Sequence, residues 1–142
     1  KESILLQFRE KQMGKVKAFV LKSMESDEPL TTLIYKFALI MTEEQQKSPS
    51  LFGSLMSAAF SNEETRKRLS EGLNRIREAL SELIKIRQKA GDIRSDIPAH
   101  EIAYSLQRLI FGSMLLWSIS QSGALEKQLS NMINMFVNSI KR

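Results

Sequence analysis

The side chains able to do chemistry are few and badly placed for it. The chain has one histidine and no cysteine. His100 sits in the expected first turn of a helix beside Glu101, with no nucleophile near it in sequence. Nucleophilic catalysis needs a base poised against a nucleophile, so His100 reads as an exposed or capping residue. The carboxylate pairs Glu43/Glu44 and Glu63/Glu64 fall at helix ends or on charged faces. They do not recur as the inward Glu-x-x-His pairs of di-iron bundles, so no metal site is expected. Gly91 is isolated and Gly112 lies inside a helix, so no glycine-rich loop cradles phosphate. The expectation is no enzyme, no cofactor and no metal.

The elements that would have to position any site are helices. Nothing alternates apolar and polar between turn residues as a strand would, whereas six segments carry a 3.6-residue pattern. The first spans about 1–24, with Leu5, Phe8, Val16, Phe19 and Val20 as its stripe. Asp27 is placed to cap the second, about 29–47, with Pro29 in its first turn. That helix is apolar around nearly its whole circumference, which predicts a central position. A short third follows at about 49–60. Ser61 or Asn62 then caps a long fourth, about 62–90, with Leu69, Leu73, Ile76, Leu80, Leu83 and Ile84 in one stripe. Glu63/Lys67, Glu64/Arg68 and Glu71/Arg75 stand four apart in the favourable order, and Lys85, Arg87 and Lys89 face the helix C-terminus. Gly91 is its left-handed cap. The fifth and sixth run over about 98–121 and 124–141. Short connections between long helices predict antiparallel neighbours in an all-α, six-helix bundle.

A formal net charge of +5 spreads along helices with both signs mixed, which favours a solvated surface over a nucleic-acid footprint in this chain. The longest uncharged apolar stretch, Leu109–Ile119, is shorter than the roughly 20 residues of a bilayer span. Lys1-Glu2-Ser3 leads straight into an amphipathic pattern, unlike a secretory signal. The expected setting is cytoplasmic, away from membranes.

The last two helices carry more apolar surface than one bundle can bury. On a helical wheel, Ile102, Ala103, Leu106, Ile110, Met114 and Trp117 form a core stripe. Ser105, Leu109, Gly112 and Leu116 form a second, and Tyr104, Phe111 and Leu115 a third beside Gln107 and Arg108. On the sixth helix, Leu125, Leu129, Met132, Ile133, Phe136, Val137 and Ile140 fill a broad arc. A two-fold dimer is the economical way to cover such a surface, with Ser105 and Gly112 allowing close approach. The expected seam comprises Ser105, Leu109, Gly112, Leu116, Leu129, Met132, Ile133, Phe136 and Ile140. Met and Phe, seven of each, suggest an adaptable apolar cavity. Its expected lining is Phe37, Met41, Met56, Phe60 and Phe111, with Tyr104 and Arg108 as polar contacts.

Three stretches resemble the TetR family of bacterial transcription regulators. Lys1-Glu2-Ser3-Ile4-Leu5-Leu6 is similar to the opening of that family's fourth helix. Ala90-Gly91-Asp92-Ile93-Arg94-Ser95-Asp96-Ile97 is similar to the A-G-x-[LI]-R-x-D turn between its seventh and eighth. Ala103, Leu106 and the run Gly112 to Trp117 follow the trend of its eighth. The resemblance covers essentially the whole chain as a C-terminal ligand-binding and dimerisation domain, with the N-terminal helix-turn-helix domain absent from this chain. It implies that the last two helices pair with their copies as a four-helix interface. It implies a pocket for a small apolar or aromatic effector, and operator DNA contacted only through the missing domain. It further implies a repressor that releases DNA on ligand binding. The alternative is a helical interaction or scaffold domain without a small-molecule ligand.

Overall fold

The computed structural model describes residues 2–47 and 49–142, with the side chains of residues 2–6, 8, 9, 44 and 49 outside the description. The stripe positions Leu5 and Phe8, the carboxylate of Glu44 and the side chains of the Lys1–Leu6 motif therefore lie outside the described residues. Among the described residues six helices follow in order: α1 Glu2–Ser23, α2 Leu30–Lys47, α3 Pro49–Ser61, α4 Glu63–Lys89, α5 Ala99–Ser120 and α6 Leu125–Ile140. Among the described residues there is no strand, only an isolated bridge between Ile93 and Lys141.

α2 is the centre. It packs against α1, α3, α5 and α6, and buries Leu30, Leu33, Ile34, Phe37, Ala38 and Met41. α4 lies across α1, α3 and α5 on the other side, burying Leu69, Ile76, Leu80, Leu83 and Ile84 while its charged face stays wet. Each such large aliphatic side chain contributes about 1.5–3 kcal/mol through removal from water.

Most of the helix boundaries follow from local signals. Asn62 is the α4 cap, its Oδ1 accepting from the Thr65 N–H at 2.9 Å. Gly91 closes the same helix at φ +88, a conformation that costs glycine little. Of the three spaced ion pairs on α4, Glu64–Arg68 closes, at 3.2 Å; the other two do not among the described residues. Pro29 stands just before α2 rather than inside it, with its carbonyl accepting from Leu33 N–H, and Ser26 Oγ rather than Asp27 steadies the turn by accepting from Glu28 N–H. Arg87 does not face solvent at the end of α4. It is buried, donating through Nη2 to the carbonyls of Ser26 at 3.0 Å and Glu28 at 2.8 Å, and through Nη1 to Asp92 at 3.1 Å.

An 18-residue window of α5 reaches a mean hydropathy of 1.2, so the helix is long and apolar enough, by length and composition alone, to cross a membrane. In this fold the helix lies against α4 and α6 with one stripe buried, Ile102, Ala103, Leu106, Ile110 and Met114, as a bundle helix does.

Candidate functional site

Beyond the core, the described residues leave a small internal cavity, a wider groove of about 590 Å3 between α1 and α4 lined by Met13, Val16, Ile76 and Ala79 together with Lys17, Arg75, Glu78 and Glu82, and an uncovered helix face. The cavity, about 30 Å3, lies among α1, α2, α3, α4 and α5. Met41, Met56, Met114, Phe52, Leu55 and Phe111 supply its apolar wall, and Phe52 and Phe111 meet with ring centroids 5.5 Å apart at an interplanar angle of 60°. A satellite void of about 10 Å3 shares Met41, Phe111 and Met114 and reaches Phe37 and Gln107. The structure thus brings together four of the expected lining residues: Phe37, Met41, Met56 and Phe111.

It separates the other three. Phe60 is 79% exposed near the end of α3, past the turn that carries Leu55 and Met56 inward. Tyr104 and Arg108 lie outside the bundle, with the Arg108 guanidinium 3.6 Å and that of Arg77 4.4 Å from the Tyr104 ring centroid. Arg108, and then Arg77, hold the Tyr104 phenol below its ordinary range by hydrogen bonding to and attracting the phenolate. These residues form a surface stack and are corrected out of the pocket.

Sequence reading missed three buried glutamines that brace the cavity. Gln12 of α1 donates to Met41 O on α2 at 2.7 Å. Gln45 of α2 donates to Met114 O on α5 at 2.8 Å, and also to Ser118 Oγ. Gln107 of α5 donates to Leu73 O on α4 at 2.8 Å. Each amide crosses from one helix to the backbone of the next. The signal was spacing: Gln45 falls four residues after Met41, and Gln107 four after Ala103 and three before Ile110, on apolar faces where a polar residue needs a partner. Gln45 Oε1 is the one buried side-chain polar atom without a donor among the described residues.

The uncovered face belongs to α5. Leu109 is 41%, Leu116 68% and Ile119 76% exposed, with Ser105 in the same row. A methyl group on Gly112 would meet nothing within 4 Å among the described residues, so none of the described helices packs against it. On α6 only Met132, half-buried, and the exposed Met135 share such a position. Leu129, Ile133, Phe136 and Ile140, expected at the seam, are buried within the chain and are corrected out of it. The broad arc of α6 is spent on α2 and α5, leaving the α5 row as the surplus. His100 is exposed, and no cluster of three or more metal-ligating side chains occurs among the described residues.

A further region joins the α4–α5 loop to the end of α6. Arg94 N–H donates to Ile140 O at 2.8 Å, and its guanidinium grips Asp96 through two contacts of 2.6 Å, holding the Asp96 carboxyl below the usual range. Gln88 caps the same turn by donating to Arg94 O and Ile97 O. The A-G-D-I-R-S-D-I stretch is therefore a clamp between α4 and the end of α6.

Comparison with known proteins places this arrangement. No family model matches the chain, and no curated protein does. Among solved structures, a protein of unknown function from Rhodococcus sp. RHA1 superposes with a TM-score of 0.71 at 13% identity, over 100% of this chain and 75% of that one. A TetR-family transcriptional regulator from Cytophaga hutchinsonii superposes with a TM-score of 0.67 at 16% identity, over 96% of this chain and 70% of that one. The fold is all-α and TetR-like.

Proposed function

We propose that this chain is the effector-sensing and dimerising part of a TetR-like bacterial transcription regulator, a cytoplasmic repressor that leaves its operator when a small apolar or aromatic ligand enters the cavity. The observation that carries the reading is α5 itself: one side of its C-terminal half walls the cavity, and another side is the uncovered row through Leu109, Gly112 and Leu116. A ligand that moves α5 moves the seam. It would shift the dimer between geometries in proportion to its differential affinity for them, with DNA contacted through an N-terminal domain outside this chain. The domain does no covalent chemistry in this scheme and needs no cofactor.

Sedimentation of the wild-type chain at micromolar concentration is expected to show a dimer. Leu116→Glu should weaken it at least about tenfold, because two copies of the charge would be desolvated at a two-fold seam. A wild-type monomer would sink the dimer assignment. A second reading, a helical scaffold domain without a ligand, is favoured by the small volume of the cavity, which is the size of a water molecule rather than of an effector. Thermal shift against a panel of apolar and aromatic compounds separates the two, since a sensor is stabilised by some member and a scaffold by none.

A further inference from the structure

We infer that the cavity selects a neutral, apolar ligand carrying one N–H or O–H donor, that Gln45 Oε1 is the acceptor that reads it, and that the same amide relays binding to the last turns of α5. The inference rests on the sensor reading and specifies its ligand chemistry.

The orientation of the Gln45 amide is set by its neighbours. Nε2 points at Met114 O, which can only accept. Turning the amide over would set two carbonyl oxygens face to face, so Oε1 is held in the other direction. Gln45 is 4% exposed and lines the cavity, and Oε1 has no donor there. A buried acceptor left unpaired is costly, and a partner that supplies a proton recovers that cost. The lining holds no charged side chain, which excludes a charged ligand by desolvation. The wall is thioether and phenyl, and the three unbranched methionines Met41, Met56 and Met114 can turn aside to open about 30 Å3 to the size of one aromatic ring.

The relay follows from the other end of the same group. Nε2 holds Met114 O and Ser118 Oγ, and Ser118 Oγ in turn donates to Met114 O at 2.9 Å. Leu116 and Ile119, on the uncovered row, lie in these same turns. A donor bound at Oε1 polarises the amide and strengthens its hold on α5.

The test titrates the whole chain by calorimetry with two matched pairs of probes: phenol against toluene, and indole against 1-methylindole. The donor-bearing member of each pair should bind about tenfold more tightly, the worth of one buried hydrogen bond. Gln45→Met should bring each pair to equal affinity. In the wild-type chain, the Gln45 side-chain amide resonances should move with phenol and stay with toluene, a readout independent of whether the variant folds. Ser118→Ala should keep the preference while losing the slowed amide exchange that phenol imposes on residues 114–121. Equal affinity within both pairs, or a preference that survives Gln45→Met, overturns this inference and leaves the sensor reading standing. Failure of all four probes to bind at millimolar concentration overturns the inference together with an aromatic effector.

Discussion

The two ends of α2 teach opposite lessons about buried polar groups. At its start, Arg87 satisfies the Ser26 and Glu28 carbonyls, Asp92 answers Arg87, and Gln88 and Arg94 tie the following turn to itself and to α6. Arg87, Gln88 and Arg94 each find acceptors there, and Arg87 and Arg94 join elements far apart in sequence. At the other end, Gln45 reaches α5 with one half of its amide and leaves the other half unanswered beside a void walled by methionine. A fully paired network rigidifies, whereas a half-paired one beside adaptable side chains is free to be completed by something else. The clamp end holds the bundle shut, and the cavity end is where it can respond.

That contrast can be broken by substitution. Arg87→Met keeps the apolar stem but leaves two carbonyls and Asp92 without their donor. It is expected to cost about 2–3 kcal/mol, read from the urea midpoint at constant slope. A loss under about 1 kcal/mol would mean that water replaces the guanidinium and that the clamp is no stiffer than the cavity end. Asn62→Ala acts at the cavity end, where α4 begins. It removes the bond from Thr65 N–H and should cost about 1 kcal/mol, with amide exchange quickening in the first turn of α4 and not at residues 87–97. Equal quickening at both ends would erase the distinction.

The smallest effect is acid sensitivity at the clamp. Hydrogen bonds from Arg94 depress the Asp96 carboxyl in the folded chain. A depressed acid adds stability above the ordinary carboxylate range and loses it as pH falls through the folded value. Asp96→Asn should therefore flatten the acid limb of stability against pH slightly, with no change near neutrality in slope. The pair is solvent-exposed, and screening keeps its contribution small. An unchanged acid limb in Asp96→Asn would remove Asp96 from the clamp's working parts.

Tyr104 illustrates why the site was harder to read than the fold. Its place one turn from Arg108 is legible in the chain, and a wheel puts both beside Phe111. Which of the three turns inward depends on what lies across from them. α3 offers Phe52 to Phe111, whereas Tyr104 meets the Arg77 guanidinium from α4. Phe60 fails for the same reason, since α4 covers the Ala59 side of the end of α3 and leaves the Phe60 side exposed. Phe37, Met41 and Met56 were legible because they fall on faces that any bundle must bury, whereas Phe111, on the third stripe of α5, is turned inward by Phe52.

The sequence by itself determined the helical segments, their order, a start of α4 at Ser61 or Asn62 and its end at Gly91, and the surplus of apolar surface on α5, because spacing and capping are local chemistry. Only the tertiary structure decided that α6 spends Leu129, Ile133, Phe136 and Ile140 on its own chain. The same holds for Arg87 turning inward and for Gln45 left with an unpaired oxygen. A wheel says which residues share a face; only the packed neighbours say whether that face meets a core, a carbonyl, a void or water.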